Sequence, residues 1–143
     1  MRVLGLDVGS RRIGVALTDA LGIAAHALRT IERHGDAKDS EVVAAIVAET
    51  GAVAVVVGWP LTAEGEEGPA ARRMARFAER LRTRLGAVPV HLQDESYTTV
   101  EAERVLLQAD LSRAKRRKVI DRLAAAHILQ AWLDASRAGA LPR

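Results

Sequence analysis

The stretch Val3–Val8 constrains the fold more than any other part of the chain. It is apolar or glycine at every position except Asp7. Such a run reads as a central strand covered on both faces, and a carboxylate within it is costly unless a cation or a hydrogen-bond donor meets it. Gly9–Arg12 makes a turn and Ile13–Leu17 opens a second apolar run, so the two segments read as a hairpin with a four-residue connection. Asp7 either caps this turn through the backbone or belongs to a charged site completed by other elements.

The rest of the chain supplies those elements. Ile23–Ile31, after the Ala20-Leu21-Gly22 corner, reads as a third strand of the same meander. Asp36–Asp39 is polar, and Ser40 is a fair N-cap for a helix over Glu41–Thr50 that buries Val42, Val43, Ile46 and Val47 and stops at Gly51. Val53–Val57 is wholly apolar and ends in Gly58-Trp59-Pro60. That is a fully buried strand, parallel to the first because a helix precedes it. A flexible acidic loop spans Leu61–Pro69. A helix over Ala70–Leu85 aligns Met74, Phe77, Ala78, Leu81 and Leu85. Val88–Leu92 alternates with His91 and Gln93, the pattern of a more exposed strand, and runs into Asp94-Glu95. Thr98 or Thr99 caps a helix through Gln108, with Glu101 near a capping-box position. Ser112–Lys118 is basic, and Val119–Ala138 is a last helix ending at Gly139. The order is that of an α/β protein with a mixed five-stranded sheet flanked by helices: an antiparallel meander plus two parallel crossover strands. Residues 1–143 read as a single domain. Both crossovers are expected to return beside the first strand, placing the ends of strands one, four and five on one rim, where ligands gather in open sheets.

Three carboxylates are then candidates for that rim. Asp7 lies on the first strand, Glu95 ends the fifth, and Asp121 heads a helical stripe through Ala125, Ile128 and Trp132 that must face the sheet. An ion pair with Arg117 or Lys118 is the plainer reading of Asp121. Converging carboxylates repel one another unless a divalent cation sits between them or their pKa values rise. The chain has no cysteine and only four histidines, so a thiolate site is excluded and a zinc centre is not expected. Carboxylates favour Mg²⁺ or Mn²⁺. No Ser-His or Cys-His pair offers a nucleophile, which leaves hydrolysis by metal-activated water, with two ions about 4 Å apart at a phosphodiester.

The charge pattern agrees with a phosphate-bearing partner. Net charge is only +3, but eighteen of the twenty-one basic residues are arginine, the side chain that grips phosphate in a bidentate way. Genome composition or a hot habitat would produce the same bias, so clustering is the better test. Five of the six residues from Arg113 to Lys118 (Arg113, Lys115, Arg116, Arg117 and Lys118) are basic. That is a patch suited to sequence-independent, salt-sensitive contact with nucleic acid. Arg11 and Arg12 in the first turn are further candidates. Arg72, Arg76 and Arg80 form an i, i+4, i+8 row, for which plain solvation is the simpler reading. Aromatic residues are scarce, so base stacking is not expected to dominate; Tyr97, beside Glu95, is the one placed to meet substrate. His127 reads as a packed or capping residue.

DVGSRRIGVALTD at 7–19, GWPL at 58–61, DESYTT at 94–99 and D-x-x-AA-x-x-IL at 121–129 together resemble the YqgF/RuvX family of RNase H-like nucleases over nearly the whole chain. The first and third of these carry most of the specificity. The resemblance implies an RNase H-like fold, with metal-binding and catalytic roles for Asp7, Glu95 and Asp121. It also implies a nucleic-acid partner, RNA and/or branched DNA. The expected activity is maturation of the 5′ end of precursor 16S rRNA, with Holliday junction resolution as the alternative. Ser96 departs from the pattern, since many relatives carry Arg there. Two rivals remain at this stage. A kinase or actin-like ATPase needs two such domains, and a non-catalytic binder has no need of all three carboxylates. With no run approaching the ~20 apolar residues of a membrane span and no signal-like start, a cytoplasmic monomer or homodimer without membrane contact is expected.

Overall fold

The computed structural model describes residues 1–62, 64–95 and 112–137. The elements run β1 (Val3–Val8), β2 (Arg12–Thr18), β3 (Ala25–Glu32), α1 (Asp36–Thr50), β4 (Ala54–Trp59), α2 (Pro69–Leu85), β5 (Val90–Asp94) and α3 (Arg113–Arg137). The strands form one sheet in the order β3-β2-β1-β4-β5. β1–β2 and β2–β3 pair antiparallel, and β1–β4 and β4–β5 pair parallel. The mixed sheet is therefore the one expected, with one correction. Only β4 returns beside β1. The other edge of β1 is already occupied by β2, so β5 has to add outside β4. The C-terminal ends of β1, β4 and β5 still share one rim, because all three run parallel.

Strand alternation divides the core in two. Leu4, Leu6, Val8, Val55 and Val57 face α1 and α2, where they pack with Val43, Phe77 and Leu81. Val3, Ala16, Ala54 and Val56 face α3 and pack with Ala125, Ile128 and Leu129. The α1/α2 side is filled by large side chains. The α3 side is lined by small ones, which lets a helix lie close to the sheet. Among the described residues, no helix is long and apolar enough to cross a membrane.

Several boundaries differ from the sequence reading, each for a local reason. α1 starts at Asp36, so Ser40 is not its N-cap; it is buried in the second turn and its hydroxyl donates to the Ala37 carbonyl at 2.8 Å. Gly35 is the N-cap, and Asp39 in the second turn accepts the N–H of the preceding His34 at 2.9 Å. β5 begins at Val90 and not at Val88, because Pro89 has no N–H for the ladder; its carbonyl accepts from Val55 instead. β4 starts one residue later than expected and continues through Gly58-Trp59, which the sequence reads as a turn. α3 takes in the basic segment as its first two turns, since Ser112 caps it and neither Gly nor Pro interrupts 113–137. The helix expected from Thr98 or Thr99 to Gln108, Ser96 and the Gly139 stop lie outside the described residues.

Arg33 ties these pieces together beneath the rim. Its Nε donates to Asp39 Oδ2 at 2.7 Å, its Nη1 to the Gly9 carbonyl at 2.8 Å and its Nη2 to Asp36 Oδ1 at 2.5 Å. The guanidinium also lies 5.7 Å from the Phe77 ring centroid. The Asp39 side chain is fully buried. Removing one partner of a buried pair leaves the other uncompensated. Arg33→Met is therefore expected to cost about 3–5 kcal/mol in urea denaturation, and the double variant Arg33→Met/Asp39→Leu to recover much of that loss.

Candidate active site

Asp7 shares the α3 face of β1 with Val3 and Gly5, as the alternation of the strand requires. Its partner across the β1–β2 ladder is Gly14. A β-carbon at Gly14 would lie 1.8 Å from the Asp121 carbonyl oxygen and 2.3 Å from its carbon. Glycine here is what allows the backbone of α3 to approach β2 directly opposite Asp7, and this brings Asp121 to the site. Ala124 and Ala125, one turn on, are buried against the sheet, with Ile128 and Trp132 continuing the stripe.

Asp121 is not paired with Arg117 or Lys118. Its Oδ2 accepts a hydrogen bond of 2.6 Å from Nε of Arg12, the first residue of β2. The two side chains are 21% and 22% exposed, so water screens this pair only in part. Arg12 is thus engaged by a site carboxylate, while Arg11 beside it is exposed at the turn.

Glu95 follows β5, where its N–H donates to the Trp59 carbonyl at 3.2 Å. Its carboxylate lies back over β4 against Gly58, where an added β-carbon would sit 3.0 Å from Oε2 and 2.6 Å from Cδ1 of Ile128. The missing side chain at Gly58 is the space Glu95 uses to reach across β4 toward Asp7.

The charges register that approach. Burial, followed by the charge of Asp121, pushes the Asp7 carboxyl up to about 6. Burial, followed by the charges of Asp7 and Asp94, pushes Glu95 up to about 7. Asp7 is therefore coupled to both of the other carboxylates. The three do not form a ready-made cage. Among the described residues no trio of His, Asp or Glu is spaced to hold an ion, and Asp121 is bonded to Arg12. The donor set nevertheless fits a hard divalent cation. It offers only carboxylate oxygens, two of them in groups whose ionisation is opposed by burial and by one another, and a cation would relieve that opposition.

The basic cluster occupies the first two turns of α3. Lys115, Arg117 and Lys118 are exposed and Arg116 is half-buried. The segment is anchored to β3 by the Thr30 hydroxyl, which donates to the Lys118 carbonyl at 2.7 Å. Arg113 opens the helix, but its side chain is outside the described set, as is Tyr97. His127 is exposed on α3, because the helix turns this position away from the sheet. Sequence reasoning missed the roles of Gly14, Gly58 and Arg33. A glycine inside a strand signals close backbone approach, so Gly14 was open to inference. Gly58 was hidden by the turn-like Gly-Trp-Pro, and nothing local marks Arg33.

A five-stranded mixed sheet in this order, with acidic residues gathered at its parallel rim, defines the RNase H-like fold. RuvC of T. thermophilus in complex with a Holliday junction substrate superimposes with a TM-score of 0.58 at 19% identity, covering 100% of this chain and 99% of that one. The Fowlpox virus resolvase with its junction DNA gives 0.60 at 11% identity, over 95% and 99% of the two chains. Within that fold the sequence is specific. Residues 1–135 match the RuvX family, described as Holliday junction resolvase, and the chain belongs to that family. Proteins named "Putative pre-16S rRNA nuclease" from Myxococcus xanthus and Symbiobacterium thermophilum are 47% and 50% identical to it. The matches cover 96% of this chain in both cases, and 90% and 95% of those proteins.

Two measurements test this geometry. Gly14→Ala must push α3 off β2, and it is expected to destabilise by about 1–3 kcal/mol or more, seen as a lower melting temperature. The second concerns pH, with EDTA present. The folded-state pKa values of Asp7 and Glu95 lie above their ordinary values of 3.8 and 4.5. The folded protein therefore holds extra protons between those limits, and stability falls as pH rises through that window. Asp7→Asn and Glu95→Gln are expected to melt above the wild type at about pH 8. That advantage shrinks as pH falls through about 6 for Asp7 and about 7 for Glu95, and it is gone below pH ~4.

Proposed function

We propose that this chain is a divalent-metal-dependent nuclease that hydrolyses nucleic-acid phosphodiesters, and that it matures the 5′ end of precursor 16S rRNA. The observation that carries the chemistry is the meeting of Asp7, Glu95 and Asp121 on one face of the sheet at one rim, with Asp7 electrostatically coupled to both others. The names of its relatives in M. xanthus and S. thermophilum support RNA as the substrate. The RuvX family description and the resolvase neighbours support a second reading, resolution of Holliday junctions. The chemistry is the same for both.

Asp7, Glu95 and Asp121 would hold two ions, Mg²⁺ or Mn²⁺. When bound there, these supply activation of the attacking water and stabilise charge on the leaving oxygen. The protein's own contributions follow from its geometry. Asp7 is fixed by the central strand, so the acidic group with the least freedom stands in the middle of the set. Arg12 orients the Asp121 carboxylate by a charge-assisted hydrogen bond from its Nε. Arg11 and the α3 residues Lys115, Arg116, Arg117 and Lys118 hold the substrate backbone on the flank of α3, and Arg113 and Tyr97 are the further contacts that the sequence suggests. None of these contacts reads base edges, so structure and backbone set the preference.

The test is cleavage of precursor 16S rRNA and of a four-way DNA junction side by side, each with Mg²⁺, with Mn²⁺ and with EDTA. Cleavage of the precursor RNA, lost in EDTA and abolished by Asp7→Asn with the fold retained, is the expected result. Junction cleavage alone selects the second reading. Near-normal cleavage by Asp7→Asn overturns the assignment of the site.

A further inference from the structure

The outer face of α2 carries charge that is only partly paired among the described residues. Arg72, Arg73, Arg76 and Arg80 are exposed there. Farther along, Arg82 bonds Glu79 and the Val90 carbonyl, and Arg84 bonds Ser40 and lies 3.7 Å from Glu41. Arg72 donates to the Glu67 carbonyl at 3.0 Å. Arg73, Arg76 and Arg80 have neither an ion pair nor a side-chain hydrogen bond among the described residues.

Their position is unfavourable for the helix. Arg76 and Arg80 are like charges at i, i+4, and the basic groups begin near the N-terminus of α2, whose first turn has no acidic residue to balance the helix dipole. A helix shaped for stability alone would carry the opposite charge there. That end of α2 is also the end at the rim, because the helix follows β4 out of the sheet. A cleft runs from Val8, Gly9 and Ser10, immediately after Asp7, to Arg73 and Arg76. A second groove continues from Arg76 along Arg80 toward Arg84. Arg76 lines both. The acidic groups bordering the grooves include Asp36, already bonded to Arg33, and Glu67 and Glu79 at the second groove.

We propose that Arg73, Arg76 and Arg80 form a second phosphate-binding track, which holds the sugar-phosphate backbone of the substrate after it has crossed the rim from the carboxylates to the α2 face. The proposal rests on the nuclease reading and extends it. α3 and its basic cluster cover one face of the sheet and α2 covers the other, so a strand held at both places bends over the rim at Asp7. From Arg73 to Arg80 the helix rises ~10 Å, a span over which long arginine side chains can meet successive phosphates of one strand. Arginine at this spacing grips phosphates in a bidentate way. Phe77, the aromatic residue on this stretch of α2, is fully buried, so the track holds backbone and does not stack bases.

The experiment measures binding without cleavage. Fluorescence anisotropy in EDTA follows a random-sequence RNA of about 20 nucleotides, long enough to pass both surfaces, across a salt series. Replacing Arg73, Arg76 and Arg80 together by Gln is expected to weaken binding and reduce the slope of log affinity against log salt by about 2, three phosphate contacts at roughly 0.7 each. The melting temperature should hold or rise, since like charges leave the helix. The matching triple Lys variant keeps the charge and should keep most of the slope. Arg116→Gln/Arg117→Gln on α3 serves as the parallel arm. An unchanged slope in the α2 Gln variant, with the α3 variant impaired, overturns the track and leaves the nuclease reading standing. An equal loss in the Lys variant also overturns the track, because charge would then not be what binds. A wild type that binds no RNA overturns both.

Discussion

The contact on which the site depends is backbone against backbone: α3 at Asp121 resting on β2 at Gly14. A helix packed on a sheet is normally held off by two layers of side chains. Here one layer is missing at the position that faces Asp7 across the β1–β2 ladder. The same device recurs one strand beyond β1, where Gly58 leaves the volume that the Glu95 carboxylate fills. With Ala124 and Ala125 buried between them, the α3 side becomes thin near the rim. Three carboxylates from distant parts of the chain can meet only where the packing is this thin. The other face shows the contrast. Its Leu, Val and Phe side chains set α1 and α2 at a full packing distance and make that side the mechanical base of the sheet.

Like charges brought together in a partly dry site must be compensated, and the compensation is uneven. Asp121 has the Arg12 guanidinium at 2.6 Å. Among the described residues Asp7 and Glu95 have no such partner, and burial contributes more to their raised pKa values than neighbouring charge does. The site therefore has one carboxylate paired with a cationic side chain and two whose ionisation is opposed by burial and by neighbouring charge. Arg12 belongs to the strand that flanks Asp7, so the turn that ends β1 also delivers the positive charge the cluster needs. Arg33 steadies that turn from the opposite face through the Gly9 carbonyl.

Most of this architecture was legible in the sequence, because it follows from periodicity. The apolar run around Asp7, the all-apolar β4 and the alternation of β5 each indicate how many faces of the strand are covered, and the burial of those strands agrees. The stripe from Asp121 through Ala125 and Ile128 fixed which side of the last helix meets the sheet. Other features were illegible because their causes lie elsewhere in the chain. Nothing around Arg12 reveals a partner on α3, and nothing around Ser40 reveals that Asp39 reaches back to His34 and moves the helix start upstream. The sheet order follows from one further constraint: an edge of β1 taken by β2 cannot also receive a crossover strand.

The distribution of strain separates what serves the fold from what serves the site. A chain under pressure only to be stable would replace Asp7 by an apolar residue, since the strand around it is otherwise hydrophobic and an unpartnered buried carboxylate weakens the folded state. It would place acidic residues, not arginines, at the start of α2. Both departures lie at the same rim, Asp7 on one face and Arg73 and Arg76 on the other, where a cleft runs from Val8, the residue after Asp7, to Arg76. Beneath the rim Asp39 is buried but paired, and the cores on both faces are apolar. At both departures an external charge would restore the stability given up. At Asp7 that charge is positive, and along α2 it is negative. A cation and a polyanion are the two partners that the proposed nuclease reading requires, and each would answer one of these two departures.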